Sequence, residues 1–232
     1  MSIFSYNSYS SSTKPKRLVV FLHGYNSCID DLMPSINILK THLEDTLFIV
    51  PLSPTPCERN TQKKQWFALT DVDPDRKRRK IDTPTSEIIE IYNKTGARIS
   101  KVAKDINTFI SEIQKKYSIK DDNTYIMGFS QGAMLAIYVS LTRDNKIAGG
   151  FSFAGTICGK DNLEKEIKSY PNIYLFHGTS DLFVQHKTLD YTKNWLDKYN
   201  IFWEAVEYDG IEHRLIDDEM YDAIEVIKRK KD

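Results

Sequence analysis

The pentapeptide Gly128-Phe129-Ser130-Gln131-Gly132 constrains the fold of this 232-residue chain more than any other feature. Before it, Thr124-Tyr125-Ile126-Met127 reads as a short buried strand. After it, Gln131 to Val139 reads as an apolar helix. A serine caught between a strand and a helix must occupy a tight backbone turn that points its hydroxyl outward. The flanking glycines follow from the same geometry, because a side chain there would collide with the incoming strand or helix.

The rest of the chain alternates in the same way. Arg17 to Leu22 is a buried-strand signal running into His23-Gly24, and Met33, Ile36, Leu39 and Leu43 mark one face of a helix over 31–43. Leu47 to Val50 is the next strand, ended by Pro51, Pro54 and Pro56. Ile99, Val102, Ile106, Phe109, Ile110 and Ile113 repeat at helical spacing and lead into the strand before Ser130. Strand signals at 147–153, 172–176 and 202–208 then alternate with helices over 187–199 and 217–230. This alternation predicts an α/β fold: one domain over 16–232 with a mostly parallel central sheet flanked by helices. A polar leader over 1–15, rich in Ser and Tyr, is expected to be disordered. Residues 57–95 have little periodicity and read as an excursion covering one edge of the sheet's functional face. It carries an apolar island, Trp66-Phe67, and a basic run from Arg76 to Lys80, read as a solvated loop.

Charge excludes several function classes. Lys plus Arg and Asp plus Glu number 32 each, so no global field attracts nucleic acid, and no aromatic interleaving accompanies the basic run. The start of the chain lacks the basic-then-apolar pattern of a signal peptide, and the longest apolar runs are far too short to span a bilayer. Stable membrane insertion is therefore not expected, and a cytoplasmic location is. Cys28, Cys57 and Cys158 form no CxxC pair, which points to unpaired thiols rather than a disulfide framework or a metal site. No cofactor is expected.

A serine hydroxyl is a weak nucleophile at neutral pH and needs a base in hydrogen-bond reach, itself oriented by a carboxylate. In open parallel sheets such groups sit on loops at the carboxyl ends of strands. Of the five histidines, only His213 lies in a turn-rich loop after the last strand signal, and it is the candidate base. His186 is the rival, although one loop would then have to present both it and the acid. His23 and His177 follow apolar strands and read as buried, hydrogen-bonded residues. Asp181, in His177-Gly178-Thr179-Ser180-Asp181, is the candidate acid. The backbone N–H groups of Tyr25 and Gln131 are the candidate oxyanion donors. Trp66 and Phe67 read as core residues or, in a sharper reading, as substrate-binding walls of an acyl tunnel.

Phe21-Leu22-His23-Gly24, Trp66-Phe67, Gly128-Phe129-Ser130-Gln131-Gly132-Ala133, His177-Gly178-Thr179-Ser180-Asp181 and Gly210-Ile211-Glu212-His213 together resemble the phospholipase/carboxylesterase family. That family includes bacterial carboxylesterases and acyl-protein thioesterases. The resemblance implies a single α/β-hydrolase domain cleaving carboxylic esters or thioesters. Ser130 would be the nucleophile, Asp181 the acid, His213 the base, and Tyr25 and Gln131 the oxyanion donors. The substrate would be a small acyl ester, a lysolipid or an acylated protein, and a homodimer stays open. The chain departs from the family pattern at Asn26, where a further glycine commonly follows His-Gly. A peptidase or dienelactone-type hydrolase on the same fold, or a non-catalytic binding module, are the alternatives.

Overall fold

Leu18, Val20 and Leu22 pack to one side of β2 (Arg17–Leu22) while Val19 and Phe21 pack to the other, and all five are fully buried. A strand that is apolar on both faces belongs in the middle of a sheet with helices on both sides. That is what the structure, a computed structural model describing residues 4–229, contains. Seven strands form one sheet: β1 (Ser5–Ser10), β2, β3 (Thr46–Leu52), β4 (Thr124–Phe129), β5 (Gly149–Phe153), β6 (Ile173–Gly178) and β7 (Trp203–Tyr208). Their spatial order is β1-β3-β2-β4-β5-β6-β7. β1 runs antiparallel to β3, and every other pair is parallel.

One core layer is built on α2 (Thr85–Asn93), α3 (Gly96–Tyr117), α4 (Gln131–Thr142), α5 (Lys160–Glu166) and α6 (Thr188–Lys198). The other is built on α1 (Met33–His42) and α7 (Asp217–Arg229). α4, the helix that opens at Ser130, is buried along its whole length, which matches its uniformly apolar sequence. Neither α3 nor any other helix among the described residues is long and apolar enough to cross a membrane. The three cysteines are free thiols.

Several expectations change. Part of the leader read as disordered is ordered: Ser5 to Ser10 pair with Leu52 to Leu47 and cover the outer edge of β3. Its polar residues give no alternation to read. It is anchored by Phe4, buried against Trp66 at 6.0 Å and Phe109 at 5.5 Å, and by Tyr6, whose ring lies 5.4 Å from Phe109. β3 runs through Pro51 instead of stopping there, because beyond Ile49 it pairs only with β1 and the missing N–H costs no bond to β2. The excursion contains α2, whose Ile88, Ile89, Ile91 and Tyr92 are buried. The basic run is not a solvated loop throughout. It forms a single 3₁₀ turn (Lys77–Arg79) in which Arg78 is buried in an ion pair with Asp73. Gln185 and Lys187 then donate to backbone carbonyls of residues 78–83, tying the excursion to the α6 side of the sheet.

Candidate active site

Because β2 and β4 to β7 run in one direction, the loops that follow them gather along one edge of the sheet. Ser130 follows β4 directly and has φ 56°, ψ −116°, a strained conformation for a non-glycine residue. Its N–H donates to Phe153 O at 2.9 Å, fixing the turn to the end of β5. The two glycines have steric causes. A Cβ on Gly128 would lie 2.0 Å from Gly132 O, and one on Gly132 would lie 2.2 Å from Leu22 O and 2.5 Å from His23 O. The helix can therefore start against β2 only if both positions lack a side chain.

Asp181 follows β6 and His213 follows β7, and the two loops are stitched together. Thr179 N–H donates to Tyr208 O at 2.9 Å, and Ser180 N–H to Ile211 O at 3.0 Å. Gly210 N–H donates to Thr179 Oγ1 at 2.9 Å. His213 Nδ1 lies 2.7 Å from Asp181 Oδ2, and His213 Nε2 lies 2.9 Å from Ser130 Oγ. An ionised carboxylate only accepts, so the ring proton sits on Nδ1 and Nε2 is free to accept from the serine hydroxyl. Asp181 Oδ1 accepts the N–H groups of Phe183 and Val184 at 2.8 and 3.0 Å. Burial alone would raise the Asp181 pKa. Hydrogen bonds from His177 and His213 overcome it and bring the value down to about 2. Asp181 is thus ionised at neutral pH. The His213 ring lies between Phe129 at 4.9 Å and Phe183 at 5.2 Å, the latter in a near-parallel stack.

On the other side of Ser130 the loop after β2 passes close by: a Cβ on Gly24 would sit 3.6 Å from Ser130 Cβ. Among the described residues, neither the Tyr25 N–H nor the Gln131 N–H donates to another protein group. Gln131 is also the first residue of α4, so its N–H lies at the positive end of that helix. A buried network holds the loop. His23 Nε2 accepts the Ser53 N–H at 3.2 Å, so Nδ1 carries the proton and donates to Gly24 O at 2.8 Å. Burial drives the His23 pKa down to about 4 and keeps the ring neutral. Trp66 stacks on it at 4.7 Å and donates its indole N–H to His23 O at 2.7 Å. The Gln131 side chain closes the network, accepting Trp66 N–H at 2.8 Å and donating to Phe67 O at 2.7 Å.

The phospholipase/carboxylesterase family model matches residues 8–230. The chain belongs to this family. Acyl-protein thioesterase 1 of Candida albicans is 22% identical over 246 residues, 98% of each chain, and that of Saccharomyces cerevisiae is 25% identical over 233 residues, 92% of each. Among solved structures, esterase PE8 matches with a TM-score of 0.82 at 25% identity, over 97% of this chain and 98% of that one. Arabidopsis thaliana SOBER1 matches at 0.74 and 19% identity, over 92% and 98%.

The departure of this phospholipase/carboxylesterase member at position 26 has a physical account. Asn26 has φ 57°, in the left-handed region where glycine is easiest and asparagine is among the best tolerated alternatives. The loop makes a left-handed turn at Asn26 that a glycine could also adopt.

The remaining expected residues divide. Trp66 and Phe67 are buried and line a separate hollow of about 350 Å³ with Phe4, Pro54 and Val102. They do not line the cleft of about 490 Å³ over Ser130 and His213, so as substrate walls they are in the wrong place. They brace the loop after β2 through His23 and Gln131. His186 is no base for Ser130, since its Nε2 pairs with Glu207 at 2.7 Å. His177 reads from sequence as a buried hydrogen-bonding residue and is one. Its Nε2 donates to Val184 O at 2.9 Å and lies 3.4 Å from Asp181 Oδ2.

Glu219, in the first turn of α7, gives no sequence signal. It is 1% exposed and accepts only the Ile216 N–H, at 3.1 Å. Burial lifts its pKa to about 7 against that hydrogen bond, and the Asp181 and Asp222 carboxylates push the same way. An acid whose folded pKa is raised costs stability as pH rises from its unfolded value near 4.5 to about 7, and the cost is complete above that. Glu219→Gln keeps an oxygen to accept Ile216 N–H and removes the charge. It is expected to raise stability at pH 8 by roughly 2–3 kcal/mol, with little difference below pH 4.5. Thermal melts of both proteins at pH 4.5 and pH 8 check this, and equal gaps at the two pH values would contradict it.

Proposed function

We propose that the protein is a serine hydrolase of carboxylic esters or thioesters that works through an acyl-enzyme on Ser130. The observation that carries this reading is the unbroken hydrogen-bonded relay from Asp181 through His213 to Ser130. His213, held as the Nδ1–H tautomer by Asp181, takes the Ser130 proton as Oγ attacks the acyl carbonyl. The Tyr25 and Gln131 N–H groups, both without protein acceptors, receive the developing oxyanion. The imidazolium then gives its proton to the leaving alcohol or thiol. Water, activated by His213, attacks the acyl-enzyme and releases the acid and the free serine. The acyl-protein thioesterases and esterase among the relatives fit this reaction class.

The test is a fluorophosphonate probe with peptide mapping, run beside graded 4-nitrophenyl esters and an S-acylated cysteine peptide. The expected result is stoichiometric labelling of Ser130 and turnover of at least one ester or thioester. An unlabelled protein, or label on another serine, would refute the assignment. The ester and thioester arms separate the two leaving groups.

A further inference from the structure

Arg79 differs from the other arginines that the fold takes in. Arg17 donates to Glu44 O, Arg78 pairs with Asp73, Arg98 with Asp71 and Arg143 with Asp121. Among the described residues, Arg79 is the one half-buried or buried arginine with no ion pair and no side-chain hydrogen bond, and its Nε is buried without a partner. Buried donors are nearly always satisfied, and a guanidinium cannot escape by losing its proton. The two terminal nitrogens of Arg79, which are not buried, also have no protein acceptor among the described residues and are the donors a ligand can reach.

Its position says where. Arg79 lines the same cleft as Ser130 and His213. Its guanidinium carbon lies 4.3 Å from the centre of the Phe183 ring, and that ring stacks on His213. With Phe183 under the guanidinium and Nε buried, the two terminal nitrogens are left for a two-pronged contact with an oxyanion. The nearby charges do not supply one. Burial, helped by the neighbouring cations Arg78, Arg59 and Arg76, pushes the Arg79 pKa down. Two carboxylates line the cleft: Asp31 is engaged by Lys63 at 3.1 Å and Ser27 at 2.9 Å, and Asp217 sits at the positive end of α7. Arg59 and Arg214 line the cleft as well, so its basic character does not rest on one residue.

We propose that Arg79 anchors an anionic group of the substrate, a carboxylate or phosphate carried by the ester that Ser130 cleaves. This deepens the serine-hydrolase reading and rests on it. The cleft then sorts esters by charge as well as by acyl shape.

Two matched pairs test it with the full-length protein: mono-4-nitrophenyl adipate against 4-nitrophenyl hexanoate, and 1-hexanoylglycerol 3-phosphate against 1-hexanoylglycerol. The expected result is a preference of about 10- to 100-fold in kcat/KM for the anionic member of at least one pair, shrinking as salt rises. The pair that shows it tells whether the anion sits on the acyl side as carboxylate or on the alcohol side as phosphate. Arg79→Met, which keeps an apolar stem on Phe183, should cut that ratio several-fold, down to what the exposed Arg59 and Arg214 supply, and Arg79→Lys should retain more of it. A merely structural role for Arg79 would slow both members alike and leave the ratio unmoved, which would overturn the inference. The wild-type ratios decide even where Arg79→Met fails to fold: neutral esters turned over with no preference in either pair sink this inference alone. No turnover of any ester, with no probe labelling, sinks it together with the serine-hydrolase reading.

Discussion

Ser130→Ala is expected to lower kcat on any ester the protein turns over by on the order of 10⁴- to 10⁶-fold, with the fold unchanged. The size follows from the proposed mechanism. Without Oγ no acyl-enzyme forms, and what remains is binding plus the two oxyanion donors acting on water. The fold should tolerate the change because alanine pays about the same conformational cost as serine at φ 56°. Of the Ser130 hydroxyl, only the contact with His213 Nε2 is lost. Ser130→Ala combined with His213→Ala should be hardly slower than either alone, since the two groups act as one unit. Single-turnover kinetics with thermal melts settle both points. Near wild-type turnover by the alanine variant would place the nucleophile elsewhere.

The legibility of this site in the sequence has a topological cause. Ser130, Asp181 and His213 each stand at or a few residues beyond the end of a strand signal, and in a parallel sheet those ends fall on one edge. Reading where runs stop is therefore enough to bring together residues 83 positions apart. The same reasoning cannot see contacts that depend on what packs across the sheet. Trp66 and Phe67 look like tunnel walls because they are an apolar island in a polar stretch. Their direction is set by Gln131 and His23, which hold them from the far side of the loop. β1 is illegible because its ladder uses backbone groups alone and its side chains are polar. α2 is legible in principle, since Ile88, Ile89, Ile91 and Tyr92 fall at helical spacing and Pro84 stands at its start, but it is only nine residues long and sits inside a polar excursion. Arg78 and Arg79 are adjacent in one basic run with opposite fates. One turn of 3₁₀ helix sends the first side chain to Asp73 and the second over Phe183. Asn26 shows the converse: a missing family glycine looks like a defect in the sequence, yet its backbone makes a left-handed turn.

Asp181→Asn should cost about 10⁴-fold in kcat, almost as much as removing the nucleophile, although it changes a single atom. Asp181 Oδ1 accepts two backbone N–H groups, and Oδ2 accepts His213 Nδ1–H with His177 Nε2 close by at 3.4 Å. Every neighbour is a donor, so an asparagine NH₂ has no acceptor to face. If it turns toward Phe183 and Val184, two backbone N–H groups, one of them buried, lose their partner. If it turns toward His213, the ring must carry its proton on Nε2 and can no longer accept from Ser130. Stability carries a second signature. The Asp181 pKa of about 2 lies below its ordinary 3.8, so the ionised carboxylate contributes about 2 kcal/mol above pH 4. That contribution is lost as pH falls through the folded value. The melting-temperature gap between wild type and Asp181→Asn should therefore be widest near neutrality and close toward pH 2. Pre-steady-state acylation at pH 7, with melts from pH 7 down to pH 2, reads both effects. A variant that acylates at the wild-type rate would remove Asp181 from the mechanism, and a gap constant with pH would remove its carboxylate charge from the folding balance.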